Sequence, residues 1–139
     1  MGETTDTLRP VVVVVDDDTD VLRSLQFAFE VEGFEVRAFA SGEALLDQPA
    51  AAIEGCLVLD YQLGGIDGLA LLERLRVAGC RQPAVLITTP NDGIMDRAAW
   101  AGVAIVEKPL LCDSLVGEVR RLLDIPPASP SGSPSPSKG

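Results

Sequence analysis

Apolar residues along this chain gather into short blocks, and several of these blocks stop at an acidic, hydroxyl or basic residue. Val11–Val15 is a β-branched run with no polar alternation, the pattern of a strand buried on both faces, and it ends abruptly in Asp16-Asp17-Asp18. Val21, Leu22, Leu25 and Phe29 then recur at helical spacing, with Gly33 as the stop. Glu35–Phe39 predicts a short second strand, and Ser41 an N-cap for a helix carrying Ala44, Leu45 and Leu46. Cys56-Leu57-Val58-Leu59 repeats the pattern of the first strand and ends in Asp60.

Asp67-Gly68 opens an amphipathic helix with Leu69, Leu71, Leu72 and Leu75 on its apolar side, closing at Gly79. Asp67 is assigned to capping. Ala84–Ile87 predicts a fourth strand ending in Thr88, followed by a weaker helix from about Asp92 to Ala101 that Gly102 terminates. Val103–Val106 predicts a fifth strand ending at Glu107-Lys108-Pro109, and a last helix runs from about Asp113 to Leu123. Five strands alternating with helices through short linkers predict an α/β domain, a doubly wound parallel sheet covered on both faces by right-handed crossovers. The folded unit is expected over 9–125. From Pro126 to Gly139 the chain is almost entirely Pro, Ser and Gly, a composition that predicts a disordered tail because it buries too little apolar surface.

With 139 residues, nearly half of them hydrophobic, the chain is long enough for one sizeable core. Its formal charge of −10 opposes direct binding to nucleic acid or anionic lipid, which requires clustered Lys and Arg. No apolar stretch approaches the roughly 20 residues of a membrane span, and the acidic start Met1–Asp6 does not resemble a signal peptide. A cytoplasmic protein is expected. Cys56, Cys80 and Cys112 are odd in number and lack any Cys-x-x-Cys spacing, so they are read as packing residues rather than a disulfide or zinc framework. Histidine is absent, which removes the usual general base, transition-metal ligand and phosphohistidine carrier.

The chemistry is expected where the strands end, because functional groups in open α/β sheets collect at the carboxyl ends of the strands beside the switch in strand order. Strand one ends in Asp16-Asp17, strand three in Asp60, strand four in Thr88 and strand five in Lys108. Three carboxylates brought together raise one another's pKa or bind a cation. Mg2+ suits such a set, since it takes one or two carboxylates, a carbonyl and waters and is commonly completed by a phosphate oxygen. Lys108 then serves as a movable positive charge and Thr88 as a hydrogen-bond donor, while a carboxylate acts as nucleophile. Taken singly, Thr88 suits strand packing, Lys108 an edge strand and Asp18 a solvated turn; the convergence of strand ends promotes Thr88 and Lys108. Trp100 has no partner pattern and is read as packing.

Val-Val-Asp16-Asp17-Asp18, Leu-Val-Leu-Asp60, Leu-Ile-Thr88 and Glu-Lys108-Pro109, in this order and spacing, resemble the response-regulator receiver family over about Pro10 to Leu123. The resemblance implies a flavodoxin-like fold with strand order 2-1-3-4-5 and five flanking helices. It implies Asp60 as phosphoacceptor, Mg2+ bound directly by Asp17 and Asp60 and through water by Asp16, and the Gln62 backbone carbonyl as a further ligand. Thr88 and Lys108 would meet the phosphoryl group, with a cis bond at Lys108-Pro109. The partner implied is a sensor histidine kinase or phosphotransfer protein, with a downstream protein target. A stand-alone receiver is expected, no enzyme beyond its own phosphorylation and dephosphorylation. A homodimer through the fourth and fifth elements or the first and last helices is compatible, and the sequence does not choose between them.

Three departures from the family pattern stand out. Ile105 occupies the position of the family's aromatic switch, Leu63-Gly64 replaces a Met-Pro pair, and the segment from Thr88 to Lys108 is about two residues short, suggesting a trimmed or irregular fourth helix. The missing aromatic keeps a phosphorylation-independent interaction module open as an alternative. A haloacid-dehalogenase-type phosphatase shares the strand-end Asp, Thr, Lys and Mg2+, but Asp20 stands where its Asp-x-Asp-x-Thr/Val signature needs Thr or Val. A calcium loop over Asp16-x-Asp18-x-Asp20 fails at Val21 and Phe27, where the turn glycine and bidentate glutamate belong.

Overall fold

The computed structural model of the chain describes residues 9–89, 91–108 and 112–124. The expected tail over 126–139 and the expected cis bond at Lys108-Pro109 lie outside these residues. The five strands are β1 (Val11–Val15), β2 (Glu35–Phe39), β3 (Cys56–Asp60), β4 (Ala84–Thr88) and β5 (Ala104–Glu107). They form one parallel sheet in the order β2-β1-β3-β4-β5, the doubly wound arrangement expected from the sequence.

Helices α1 (Thr19–Val31), α2 (Gly42–Leu46), α3 (Pro49–Ala52), α4 (Gly68–Val77), α5 (Asp92–Ala101) and α6 (Cys112–Leu123) connect and cover the strands. The four-residue α3 is additional to the five expected. Pro49 begins it, where a missing N–H leaves no extra unsatisfied donor. Helix α5 is not irregular: Asn91 Oδ1 accepts from the Ile94 N–H at 3.0 Å, and Gly102 closes the helix with φ 70°. That left-handed conformation favours glycine, which has no Cβ to clash.

Side chains alternate across the sheet with a period of two, so β1 feeds two cores. Val13 and Val15 join Leu57, Leu59, Leu86 and the α4 leucines Leu69, Leu71, Leu72 and Leu75 on one face. Val12 and Val14 join Val58, Val85, Ile87, Leu25, Phe29, Leu115 and Val119 on the other. Each such side chain removed from water contributes about 1.5–3 kcal/mol, so β1, β3 and β4, apolar on both faces, fix the centre of the fold. Phe29 and Phe34 meet edge to face at 5.2 Å, and Arg120 lies over the Phe34 ring while donating to the Glu32 carboxylate at 2.7 Å. Cys56 and Cys80 are buried as expected. Burial pushes the Cys56 thiol up to about 12, which keeps it protonated and unreactive. Trp100 departs from the reading as packing: it is 80% exposed on α5.

Candidate functional site

Strand β2 lies on one side of β1 and β3 on the other, so the direction of winding reverses between β1 and β3. Loops leaving their carboxyl ends diverge there and leave a crevice. Asp16 follows β1 directly and Asp60 is the last residue of β3. Backbone hydrogen bonds carry the ladder past the strand ends: Asp16 N–H donates to Phe39 O at 3.1 Å, Tyr61 N–H to Ile87 O at 2.9 Å, and Lys108 N–H to Thr88 O at 3.0 Å. The last of these sets Lys108 beside Thr88.

Two local devices hold the acids. Asp18 caps α1, its Oδ1 accepting from the N–H groups of Asp20 and Val21 at 3.0 and 3.3 Å. It is therefore occupied by the helix, and is not merely a solvated turn residue. Asp16 Oδ1 accepts from the Asp18 N–H at 2.9 Å, which fixes the Asp16 carboxylate against the start of the helix. On the other side of the crevice, Asp67 caps α4 through the Ala70 N–H at 2.6 Å, and Gly68 N–H donates to Tyr61 O at 2.8 Å. A Cβ on Gly68 would stand 2.2 Å from the Asp60 carbonyl oxygen. Only glycine lets the first turn of α4 press this closely on the end of β3.

One carboxylate oxygen from each of Asp16, Asp17 and Asp60 lies within 4.8 Å of the others. Asp16 and Asp60 are buried, 4% and 7% exposed, whereas Asp17 is exposed. Lys108 Nζ stands 3.3 Å from Asp60 Oδ1. That oxygen is buried and has no hydrogen-bond partner among the described residues, so the lysine compensates its charge without saturating it. Burial raises the Asp60 carboxyl above its ordinary range, opposed by the Lys108 ammonium and the Gln62 backbone N–H. Burial also pushes Asp16 up to about 6, against the Asp18 N–H and with help from the neighbouring Asp60, Asp17 and Asp18 carboxylates. Both shifts are those of acids desolvated and crowded by like charge.

The acids line a cleft of about 580 Å3, with Asp20, Val21 and Ser24 of α1 forming one wall and Gln62 and Lys108 the opposite rim. Thr88 is brought to the same end of the sheet but opens onto a neighbouring hollow of about 170 Å3, shared with Tyr61, Asn91 and Ile94. Its hydroxyl donates to the Thr89 carbonyl at 3.3 Å. Gln62 and Lys108 border both spaces. Every site residue expected from the sequence thus reaches one end of the sheet. The α1 wall follows from a helix that begins directly after Asp16-Asp17-Asp18 and so places its first turns beside those acids. Ile105, the residue at the missing aromatic position, is a partly buried aliphatic packed on the core.

Residues 12–120 match the response regulator receiver domain family. The chain is 33% identical over 114 residues to the C4-dicarboxylate transport transcriptional regulatory protein DctD of Rhizobium meliloti, covering 81% of this chain and 25% of that protein. It is 34% identical over 114 residues to the transcriptional regulatory protein FixJ of Azorhizobium caulinodans, covering 81% and 54%. The chain therefore spans about a quarter and about half of the length of these curated relatives. Among solved structures, a putative response regulator from Chloroflexus aurantiacus superposes with a TM-score of 0.74 at 31% identity, covering 84% of this chain and 98% of that one. The response regulator StyR gives 0.74 at 33% identity, covering 84% and 60%. Among the described residues, no helix is long and apolar enough to cross a membrane. With its strand order, its strand-end acids and this match over most of its length, the chain belongs to the response regulator receiver domain family of two-component signalling.

Proposed function

We propose that Asp60 is the phosphoacceptor and that it takes its phosphoryl group from a phosphohistidine on a partner kinase or phosphotransfer protein. The observation that carries this reading is the Asp60 carboxylate itself: buried, with an oxygen that accepts no hydrogen bond among the described residues, and facing a cationic side chain and two further acids. A buried oxygen left without a hydrogen bond is costly, and a bound ion or phosphoryl group would relieve that cost. The residues fit a hard divalent ion. Asp17 and Asp60 would hold Mg2+ directly, the Gln62 backbone carbonyl would add a third ligand, and Asp16 would act through water. One carboxylate oxygen from each of the three acids lies within 4.8 Å of the others, which suits a shared hard cation. When bound, the ion neutralises the acidic cluster and offsets charge on the transferred group.

In the transfer, an Asp60 carboxylate oxygen forms a bond to phosphorus as the phosphorus–nitrogen bond of the donor breaks, and the electron pair leaves with the imidazole nitrogen, which takes up a proton. Lys108 gives up its contact with Asp60 Oδ1 to pair with a phosphoryl oxygen. The Thr88 hydroxyl turns from the Thr89 carbonyl to donate to another. The chain acts on no substrate other than its own aspartate, and the signal leaves through protein contacts in the cytoplasm. Neither nucleic acid nor membrane takes part directly.

The test is incubation with Mg2+ and acetyl phosphate followed by intact mass measurement. One added phosphoryl group is expected, absent from Asp60→Asn and after chelation. Ile105 in place of an aromatic favours a second reading, an interaction module that signals without phosphorylation. Failure to gain mass from acetyl phosphate, together with failure to bind beryllofluoride, would select it.

A further inference from the structure

Tyr61 follows the proposed phosphoacceptor directly, and its backbone is pinned on both sides, the N–H donating to Ile87 O and the carbonyl accepting from Leu63 and Gly68. Its side chain is held much more loosely. The ring is partly buried against the core that contains Leu63, Leu69 and Ile94, and its hydroxyl makes no hydrogen bond among the described residues. The ring also borders the hollow of about 170 Å3, several times the ~30 Å3 share of a water molecule. Among the described residues lining that hollow and the acidic cleft, Tyr61 is the only aromatic.

The far wall of the hollow is the first turn of α5. Asn91 is the N-cap of that helix, and its Oδ1 holds the Ile94 N–H at 3.0 Å. One turn further on, Arg97 lies within electrostatic reach of the Tyr61 phenol and pairs with Glu73 and Asp67 of the α4 region at 3.3 and 3.8 Å. The near wall is Thr88 and Lys108, the two groups that a charge on Asp60 would draw out of the hollow.

We infer that Tyr61 is the coupling residue between the Asp60 site and helix α5: withdrawal of Thr88 and Lys108 from the shared hollow admits the Tyr61 ring, which then bears on Asn91 and Ile94. The inference rests on the phosphoacceptor reading above. It requires two ring positions separated by a rotamer change, a motion that a partly exposed side chain whose hydroxyl makes no hydrogen bond among the described residues makes readily. It also requires that the two positions be weighted differently by the occupied and empty site, which the shared lining of Thr88 and Lys108 provides.

Hydrogen exchange read by mass spectrometry over residues 91–101 tests the coupling, with intact mass recorded on the same samples. In the wild type, phosphorylation with Mg2+ and acetyl phosphate, or beryllofluoride loading, should change protection across α5. Tyr61→Leu should gain phosphoryl mass to within about twofold of wild type yet lose more than half of the α5 response, and Tyr61→Phe should keep that response. A full α5 response in phosphorylated Tyr61→Leu would overturn the inference, as would a phosphorylated wild type with unchanged α5. A wild type that gains no mass and binds no beryllofluoride removes the phosphoacceptor reading, and the coupling falls with it.

Discussion

Lys108 Nζ approaches Asp60 Oδ1 to 3.3 Å across the gap between β5 and β3, which are separated in the sheet by β4. The lysine side chain is about one-third exposed and the aspartate side chain is buried, so the pair joins a partly solvated residue to an enclosed one. Lys108→Met should leave Asp60 beside Asp16 and Asp17 without its cation. In metal-free protein the loss should be about 1–2 kcal/mol, less than for a fully buried pair because the lysine end is solvated. Urea unfolding in the presence of a chelator measures it, and an unchanged midpoint would show that the pair contributes nothing.

Mg2+ should act in the opposite direction. A ligand that binds only the folded state at ten times its dissociation constant stabilises by about 1.4 kcal/mol. The thermal midpoint of the wild type should therefore rise with Mg2+, and Asp17→Asn should remove most of the rise. Because Asp17 is exposed, that variant should unfold normally without metal, so an equal Mg2+ response in both proteins would place the ion elsewhere.

Asp16 gives the metal-free protein a pH signature. Its folded value, about 6, lies above its ordinary value of 3.8, so the native state holds a proton that the unfolded chain has released. This contribution is fully present below about pH 4 and is lost as pH rises through about 6. Its upper limit is on the order of 3 kcal/mol at one pKa unit per 1.36 kcal/mol. The shift at Asp60 has the same sign. The exposed Glu35, held low by Arg37, has the opposite one. The difference between wild type and Asp16→Asn isolates the effect: the variant should be the more stable protein at pH 7 in chelator, with the advantage shrinking towards pH 4. An advantage that grew on acidification would contradict the assignment.

Two glycines that follow β3, one in the loop and one at the start of α4, should respond unequally. A Cβ at Gly68 would meet the Asp60 carbonyl oxygen at 2.2 Å, whereas one at Gly64 would meet the Asp17 carboxylate at an ordinary 3.6 Å. Gly68→Ala must displace backbone at Asp60 and should lose about 2–4 kcal/mol, together with the phosphoryl uptake proposed above. Gly64→Ala should stay within about 1 kcal/mol of wild type. Chemical denaturation of both variants compares them directly.

The central strands were legible in the sequence because burial on both faces leaves an unmistakable apolar run, as in Val11–Val15 and Cys56–Leu59. The ends of the helices were legible because Ser41, Asp67 and Gly102 carry the capping chemistry themselves. Short α3 left no periodicity to find, and β5 lies one residue later than Val103–Val106 because edge strands carry a weaker pattern. The acids, Thr88 and Lys108 were found through their common position at strand ends. The place of Tyr61 is not legible in the sequence because it lines a hollow formed by residues from β4, α5 and the end of β5, and no local motif records a void. The exposure of Trp100 is hidden for a related reason: helical spacing alone does not say which side of α5 faces water.

The cleft draws its walls from residues 16 to 108, and the ammonium that completes it arrives on the last strand of the sheet. A nascent chain that has emerged only through β3 already displays both Asp16 and Asp60, yet it lacks β4 beside β3 and the lysine beyond. Pairings this distant in sequence form late, since loop closure precedes the contacts that reward it. On the function proposed above, phosphoryl uptake would report a finished molecule, because a copy lacking β4 and β5 lacks the lysine that completes the cleft.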